Sequence, residues 1–109
     1  MKYRIEIVSL ARADLVEIYQ HIAWHDSPQK ADHVIDELLN QIESLATMPQ
    51  RGVHPRELAD LGLREFREVH FKPYRIVHRV DKKNVYVVLV ADRRRDMGAL
   101  LRRRLVDPS

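Results

Sequence analysis

The sequence predicts an α+β fold: an N-terminal strand, then an antiparallel helical hairpin packed on a small antiparallel sheet, in the order β-α-α-β-β-β-α. Three observations predict it. An apolar stripe at helical spacing runs through residues 31–46, with Ala31, Val34, Ile35, Leu38, Leu39, Ile42 and Leu45 three or four positions apart. Short β-branched runs separated by turn signals fill residues 64–91. A length of 109 residues, 45% of them hydrophobic, with only three glycines, gives room for one domain with one modest core, residues 1–109.

Each element has its own signals. Residues 3–8 are short and β-branched and read as a first strand. Ser9 is placed to cap a helix over 10–25, with Ala11, Leu15, Ile18 and Ile22 on one stripe. Ser27-Pro28 restarts the chain, because serine caps and proline fits the first helical position. The second helix then runs until Pro49 stops it, and the short link makes an antiparallel hairpin. A connector punctuated by Pro49, Gly52 and Pro55 follows, with one helical turn over 56–61. Strands are predicted at 64–70, 74–80 and 85–91, joined by the short turns Lys72-Pro73 and 81–84. The segment 85–90 is apolar on both faces, which marks the central strand. Met97, Leu100, Leu101 and Leu105 define a last helix over 96–105. The hairpin is expected to cover one sheet face and leave the other concave and less covered.

Composition removes several function classes. Without cysteine there is no disulfide framework and no thiol nucleophile, which suits a reducing cytoplasm. The amino terminus carries charges inside its apolar stretch, so it reads as a strand and not as a signal peptide. No apolar run approaches the roughly 18 residues of a membrane helix. The expectation is a soluble cytoplasmic protein with no membrane association. Charge is unevenly spread. Residues 1–50 hold four basic and eight acidic side chains, a balance of −4, and residues 51–109 hold fifteen and eight, a balance of +7. Fourteen of the nineteen basic residues are arginine, the side chain suited to bidentate contact with phosphate or carboxylate. The second half therefore reads as a basic surface for an anionic partner.

Strand periodicity puts Arg75, Val77 and Arg79 on one face and Tyr74, Ile76, His78 and Val80 on the other. The second set is the better core set, so Arg75 and Arg79 point away from the hairpin. Nearby acids such as Glu65, Glu68 and Asp81 offer salt bridges, the favoured reading for Arg79; for Arg75 a functional role is favoured. The candidate partner-binding residues are Arg64, Arg67, Arg75, Arg79, Arg93, Arg94 and Arg95. Arg102, Arg103 and Arg104 read as a solvated flank of the last helix. His21 and His25 stand four apart, as two metal ligands do, but HIAWH lacks the following glutamate and no third ligand is evident, so no metal is assigned. His78 reads as a hydrogen-bonded core residue, and His70 as the one histidine able to approach Arg75 as a general acid or base. There is no glycine-rich phosphate loop and no Ser/His/Asp arrangement, and no cofactor is expected.

Five stretches in this order carry a family resemblance: ARADLVEIYQHIA at 11–23, LATMPQRGVHPREL at 45–58, LREF at 63–66, PYRIVHRV at 73–80 and VYVVLVADRRRD at 85–96. Together they resemble the RelE/ParE superfamily of toxins from type II toxin–antitoxin pairs. The resemblance spans nearly the whole chain. It implies a compact toxin neutralised by a small cognate antitoxin, ParD-like or otherwise, whose flexible acidic segment wraps it. RelE-like members imply a ribosome-dependent mRNA endoribonuclease, for which this chain offers Arg75 and Arg94, with Glu68 or His70 for proton transfer. Leu100 falls where such members place a tyrosine or histidine. ParE-like members imply a non-enzymatic inhibitor of DNA gyrase, and the long amphipathic hairpin over 10–46 resembles that branch, which is favoured. A non-toxic protein-interaction module is the third reading.

Overall fold

The structure is a computed structural model that describes residues 2–107. Its elements are β1 (Arg4–Ile7), α1 (Ser9–His25), α2 (Pro28–Ser44), α3 (Arg56–Ala59), β2 (Phe66–Phe71), β3 (Tyr74–Asp81), β4 (Asn84–Asp92) and α4 (Met97–Leu101). A π-helical turn, Arg102–Val106, continues α4. The α+β class and the order of elements agree with the sequence reading. Two local details differ. Val8, in extended conformation and with no side-chain cap, precedes α1, so Ser9 is the first helical residue and not the cap. The final helix is α-helical for only five residues before its turns widen. At α2 the predicted start holds: Ser27 Oγ accepts from the Lys30 amide at 3.1 Å and Pro28 opens the helix.

The sheet order is β1-β4-β3-β2. Both hairpins are antiparallel, but β1 pairs with β4 in parallel, Arg4 opposite Asn84 and Ile7 opposite Val87, so the sheet is mixed and not wholly antiparallel. The short turns fix β2, β3 and β4 alternately, which leaves two edges for β1. The outer edge of β2 is occupied by the connector, where Val53 bridges Glu68. That approach needs Gly52: its φ is +101°, and a Cβ there would lie 2.3 Å from the Glu68 carbonyl oxygen. The strand β1 therefore takes the edge beside β4.

An irregularity between Val77 and His78 sets the two faces. Val77 is opposite Leu89 and His78 is opposite Val87, so β4 carries Val88 as an extra residue. Val88 and Leu89 consequently turn to the same face. On the hairpin face Val34, Leu38, Ile42 and Leu45 pack with Val69, Ile76, Val85, Val87 and Val90. On the other face Leu58 of α3 and Met97, Leu100 and Leu101 of α4 pack with Phe66, Val77, Val88, Leu89 and Ala91. The expected open, concave face is thus covered by its own small core. Each fully buried leucine there contributes about 2 kcal/mol of transfer free energy, which explains why α4 folds back.

Candidate functional site

The seven candidate arginines do not form one surface. Arg75 and Arg79 do share the α4 face, as alternation predicts. Four strand steps separate them by roughly 13 Å. Arg75 lies near the end of the sheet that leads to Arg93–Arg95, whereas Arg79 lies beside Phe66 and Tyr86 at the other end.

Arg75 is enclosed by carboxylates. Its Nη1 and Nη2 donate to Glu57 of α3 at 3.0 and 2.8 Å, and its Nε donates to Glu68 Oε1 at 2.8 Å. The other Glu68 oxygen lies 2.8 Å from His70 Nε2. The arginine side chain is 12% exposed and that of Glu68 8%. The paired guanidinium holds Glu57 below the ordinary carboxylate range, against the opposing effect of burial. The hydrogen bonds that Arg75 donates to Glu57 raise its pKa above an already high value. The structure therefore brings Arg75, Glu68 and His70 into contact, with Glu57 as a fourth member. Arg94 makes its contacts elsewhere: Nε and Nη2 grip Asp92 at 2.9 and 2.5 Å, and the side chain is 75% exposed. Asp92 is held below the ordinary range by that grip.

Arg93, Arg94 and Arg95 are exposed and follow β4 directly. Arg94 and Arg95 border a cavity of about 410 Å³ between α1 and the sheet, lined also by Asp14, Glu17, His21 and Tyr74. It adjoins a second cavity of about 520 Å³ bounded by His25, Lys30, His33 and Lys72. His21, Tyr74 and Arg94 line both, so the two form one furrow whose rim mixes cations (Lys30, Lys72, Arg94, Arg95) with carboxylates (Asp14, Glu17, Asp26, Asp92). Burial raises the Tyr74 hydroxyl above its usual value, with the Asp92 charge adding to it. Arg79 stacks on Tyr86, its guanidinium carbon 4.5 Å from the ring centre. Arg67 donates to Gln50 Oε1 and to the Gly52 carbonyl, both at 3.1 Å, and so ties the connector to β2. Arg64 is exposed ahead of β2.

One feature was not foreseen. Arg104, read as a solvated tail residue, is half-buried and pairs with Asp14 of α1 at 2.9 Å. Its side chain also reaches the Val88 carbonyl at 3.2 Å, while Asp14 Oδ2 accepts from the Val90 amide at 3.0 Å. Only the identity of Asp14, a carboxylate on the apolar stripe of α1, hints at this. His78 is the core histidine expected, fully buried with Nε2 on the Pro49 carbonyl at 3.1 Å. Among the described residues no group of three or more His, Asp or Glu is placed to hold a metal ion, and no helix is long and apolar enough to cross a membrane.

The family described as ParE toxin of type II toxin-antitoxin system, parDE, matches residues 5–97. The chain belongs to this ParE toxin family. That match runs from the second residue of β1 to the first residue of α4 and includes the whole helical hairpin. Solved structures share the fold. A chain of the chromosomal ParDE toxin–antitoxin system from P. aeruginosa superposes with a TM-score of 0.70 at 21% identity, covering 84% of this chain and 96% of that one. The free E. coli toxin RelE, as a double arginine-to-alanine mutant, gives 0.63 at 15% identity, covering 92% and 93%. A chain of the RelBE2 toxin–antitoxin complex from Mycobacterium tuberculosis gives 0.58 at 15% identity, covering 84% and 99%. No curated protein sequence matches the chain. This ParE-family toxin is thus one half of a type II toxin–antitoxin pair, and its partner is an antitoxin.

Proposed function

We propose that this toxin acts in the cytoplasm as a non-enzymatic inhibitor of DNA gyrase until an antitoxin neutralises it. The ParE family match over residues 5–97 carries the reading. The electrostatics of the α4 face support it. A phosphoryl-cleaving site needs cation charge free to meet a developing anion. Arg75 instead faces two carboxylates, so the cluster of Glu57, Glu68 and Arg75 is net negative. We assign the exposed Arg93, Arg94 and Arg95 at the furrow to contact with the acidic segment of the antitoxin. The direct test is plasmid supercoiling by purified gyrase. Inhibition at stoichiometric toxin is expected, and unchanged supercoiling at saturating toxin would remove the assignment.

One observation favours a second reading, a RelE-like ribosome-dependent endoribonuclease. His70 is half-exposed and oriented by Glu68, which in turn contacts Arg75, and such a pair is suited to proton transfer. Cleavage of mRNA in a translation extract, abolished by His70→Ala, is the outcome this reading requires. Intact mRNA in the extract rules it out.

A further inference from the structure

Of the two edges of the sheet, the connector occupies that of β2, whereas among the described residues no strand lies beyond β1. The amides of Arg4 and Val8 bond to the carbonyls of Lys83 and Val87, so Arg4, Glu6 and Val8 turn their backbone groups toward β4. Alternation turns those of Tyr3, Ile5 and Ile7 outward. Two of the outward groups are satisfied at home. The Tyr3 amide donates to the Ala46 carbonyl at 2.8 Å, and the Ile7 carbonyl accepts from Arg12 Nε at 2.9 Å. The Tyr3 carbonyl, both groups of Ile5 and the Ile7 amide are left for a further strand.

The side chains of the same strand supply the second observation. Tyr3, Ile5 and Ile7 are partly buried against the hairpin core, whereas Arg4 and Glu6 are exposed on the other face. Among the described residues neither Arg4 nor Glu6 forms an ion pair within the fold. Residues 3–7 run apolar, basic, apolar, acidic, apolar, a pattern that complements itself when reversed. An antiparallel copy centred on Ile5 sets Arg4 opposite Glu6, Glu6 opposite Arg4, and Tyr3 opposite Ile7. Moving the centre one residue either way sets Arg4 opposite Arg4 or Glu6 opposite Glu6, so the register is specified. A uniformly acidic segment would meet Glu6 as well as Arg4 and gain nothing from the pair. Leu10, 57% exposed, flanks this edge: helical spacing puts it on the side of α1 that carries Asp14, away from Tyr19, which faces Asp32 of α2.

We propose that the outer edge of β1 docks a second copy of this chain, the two strands pairing antiparallel about a two-fold axis at Ile5. Two four-stranded sheets then join into one of eight strands. Ile5 exchanges two backbone bonds with Ile5 of the second copy, and each Ile7 amide donates to the opposite Tyr3 carbonyl. Every outward group left over by the single chain is thereby used. Two Arg4–Glu6 pairs close the exposed face. The contact is short, so the dimer is a reversible one.

The test is sedimentation of the antitoxin-free toxin over a concentration series reaching about 1 mM, with hydrogen exchange of the Ile5 and Ile7 amides at both ends of the series. Concentration-dependent dimerisation is expected, with both amides slowed about tenfold where the dimer predominates. Arg4→Glu leaves positions 4 and 6 both acidic, and Glu6→Arg leaves both basic. Each is expected to weaken self-association about tenfold, because two attractive cross-strand pairs become repulsive. An equimolar mixture of the two variants, or both substitutions in one chain, restores complementarity and is expected to restore the dimer, which separates lost pairing from lost folding. A toxin that stays monomeric throughout overturns the proposal, as does a dimer that charge reversal leaves intact or in which Ile5 and Ile7 exchange freely. Protection of those two amides by the antitoxin, in a toxin that is monomeric alone, also overturns it and gives the edge to the antitoxin.

Discussion

Arg75 faces more negative charge than it carries, and that imbalance sets what its replacement does. Removing the guanidinium leaves Glu57 and Glu68 facing each other with only the His70 contact left to Glu68, a cost of about 3 kcal/mol. Arg75→Gln is therefore expected to lower the urea midpoint strongly. Adding Glu57→Gln should recover part of the loss, since the surplus carboxylate leaves with it; a double variant as unstable as the sum of the singles would show that Glu57 and Arg75 do not interact. Charge reversal, Arg75→Glu, disrupts the fold before it tests any partner surface. His78 acts through pH. Its folded pKa lies below the ordinary 6.5, so the unfolded chain takes up the proton more readily. The stability that follows is present above 6.5 and is lost as pH falls from there through the folded value. Glu57, lowered from 4.5, adds a second loss below that point by the same sign. Thermal melts are expected to decline in two stages on acidification. His78→Gln, whose amide can still reach the Pro49 carbonyl, should erase the upper stage only.

Elements far apart in the chain complete each other around the β4 bulge. The extra residue leaves the Val88 carbonyl and the Val90 amide outside a regular ladder. Arg104 and Asp14, ninety residues apart, take one each and then pair together. Arg104→Ala removes a charged donor from a half-buried carboxylate and carbonyl and is expected to cost about 2 kcal/mol. Arg102→Ala and Arg103→Ala, both exposed, should stay within about 0.5 kcal/mol in the same denaturation experiment. This arrangement shows where sequence reading runs out. The helix α2 was legible because its stripe, its serine cap and its proline are all local signals. Ser9 misled because a capping residue type stood one position inside the helix. A run that is apolar on both faces, 85–91, cannot disclose a bulge, since no polar residue reports a change of face. The mixed sheet was hidden because the direction of β1 depends on which edge the connector already occupies. The partners of Arg75 and Arg104 lie eighteen and ninety residues away, beyond any periodicity.

Across the whole molecule the basic half is divided by the fold into three parts with different electrostatic status. Arg75 is neutralised internally, Arg67 and Arg79 are held by neutral partners, and Arg93–Arg95 stand exposed beside the furrow. Within the last group Arg94 is paired with Asp92, whereas Arg93 and Arg95 make no carboxylate pair among the described residues and can act at long range on an approaching acidic segment. Exposed charges of this kind steer encounter more than they hold a complex, and they are screened beyond about 8 Å at physiological salt. The pair Arg93→Glu and Arg95→Glu is therefore expected to slow association with the antitoxin about tenfold at low salt, with much less effect on dissociation. The slowing should shrink as salt is added, while the unfolding midpoint stays unchanged because neither residue forms an ion pair in the fold. Surface-plasmon association rates over a salt series make the measurement. Unchanged rates at low salt would move the antitoxin contact away from this end of the sheet. The apolar residues exposed on α1, Leu10, Val16 and Trp24, would then be the next surface to test.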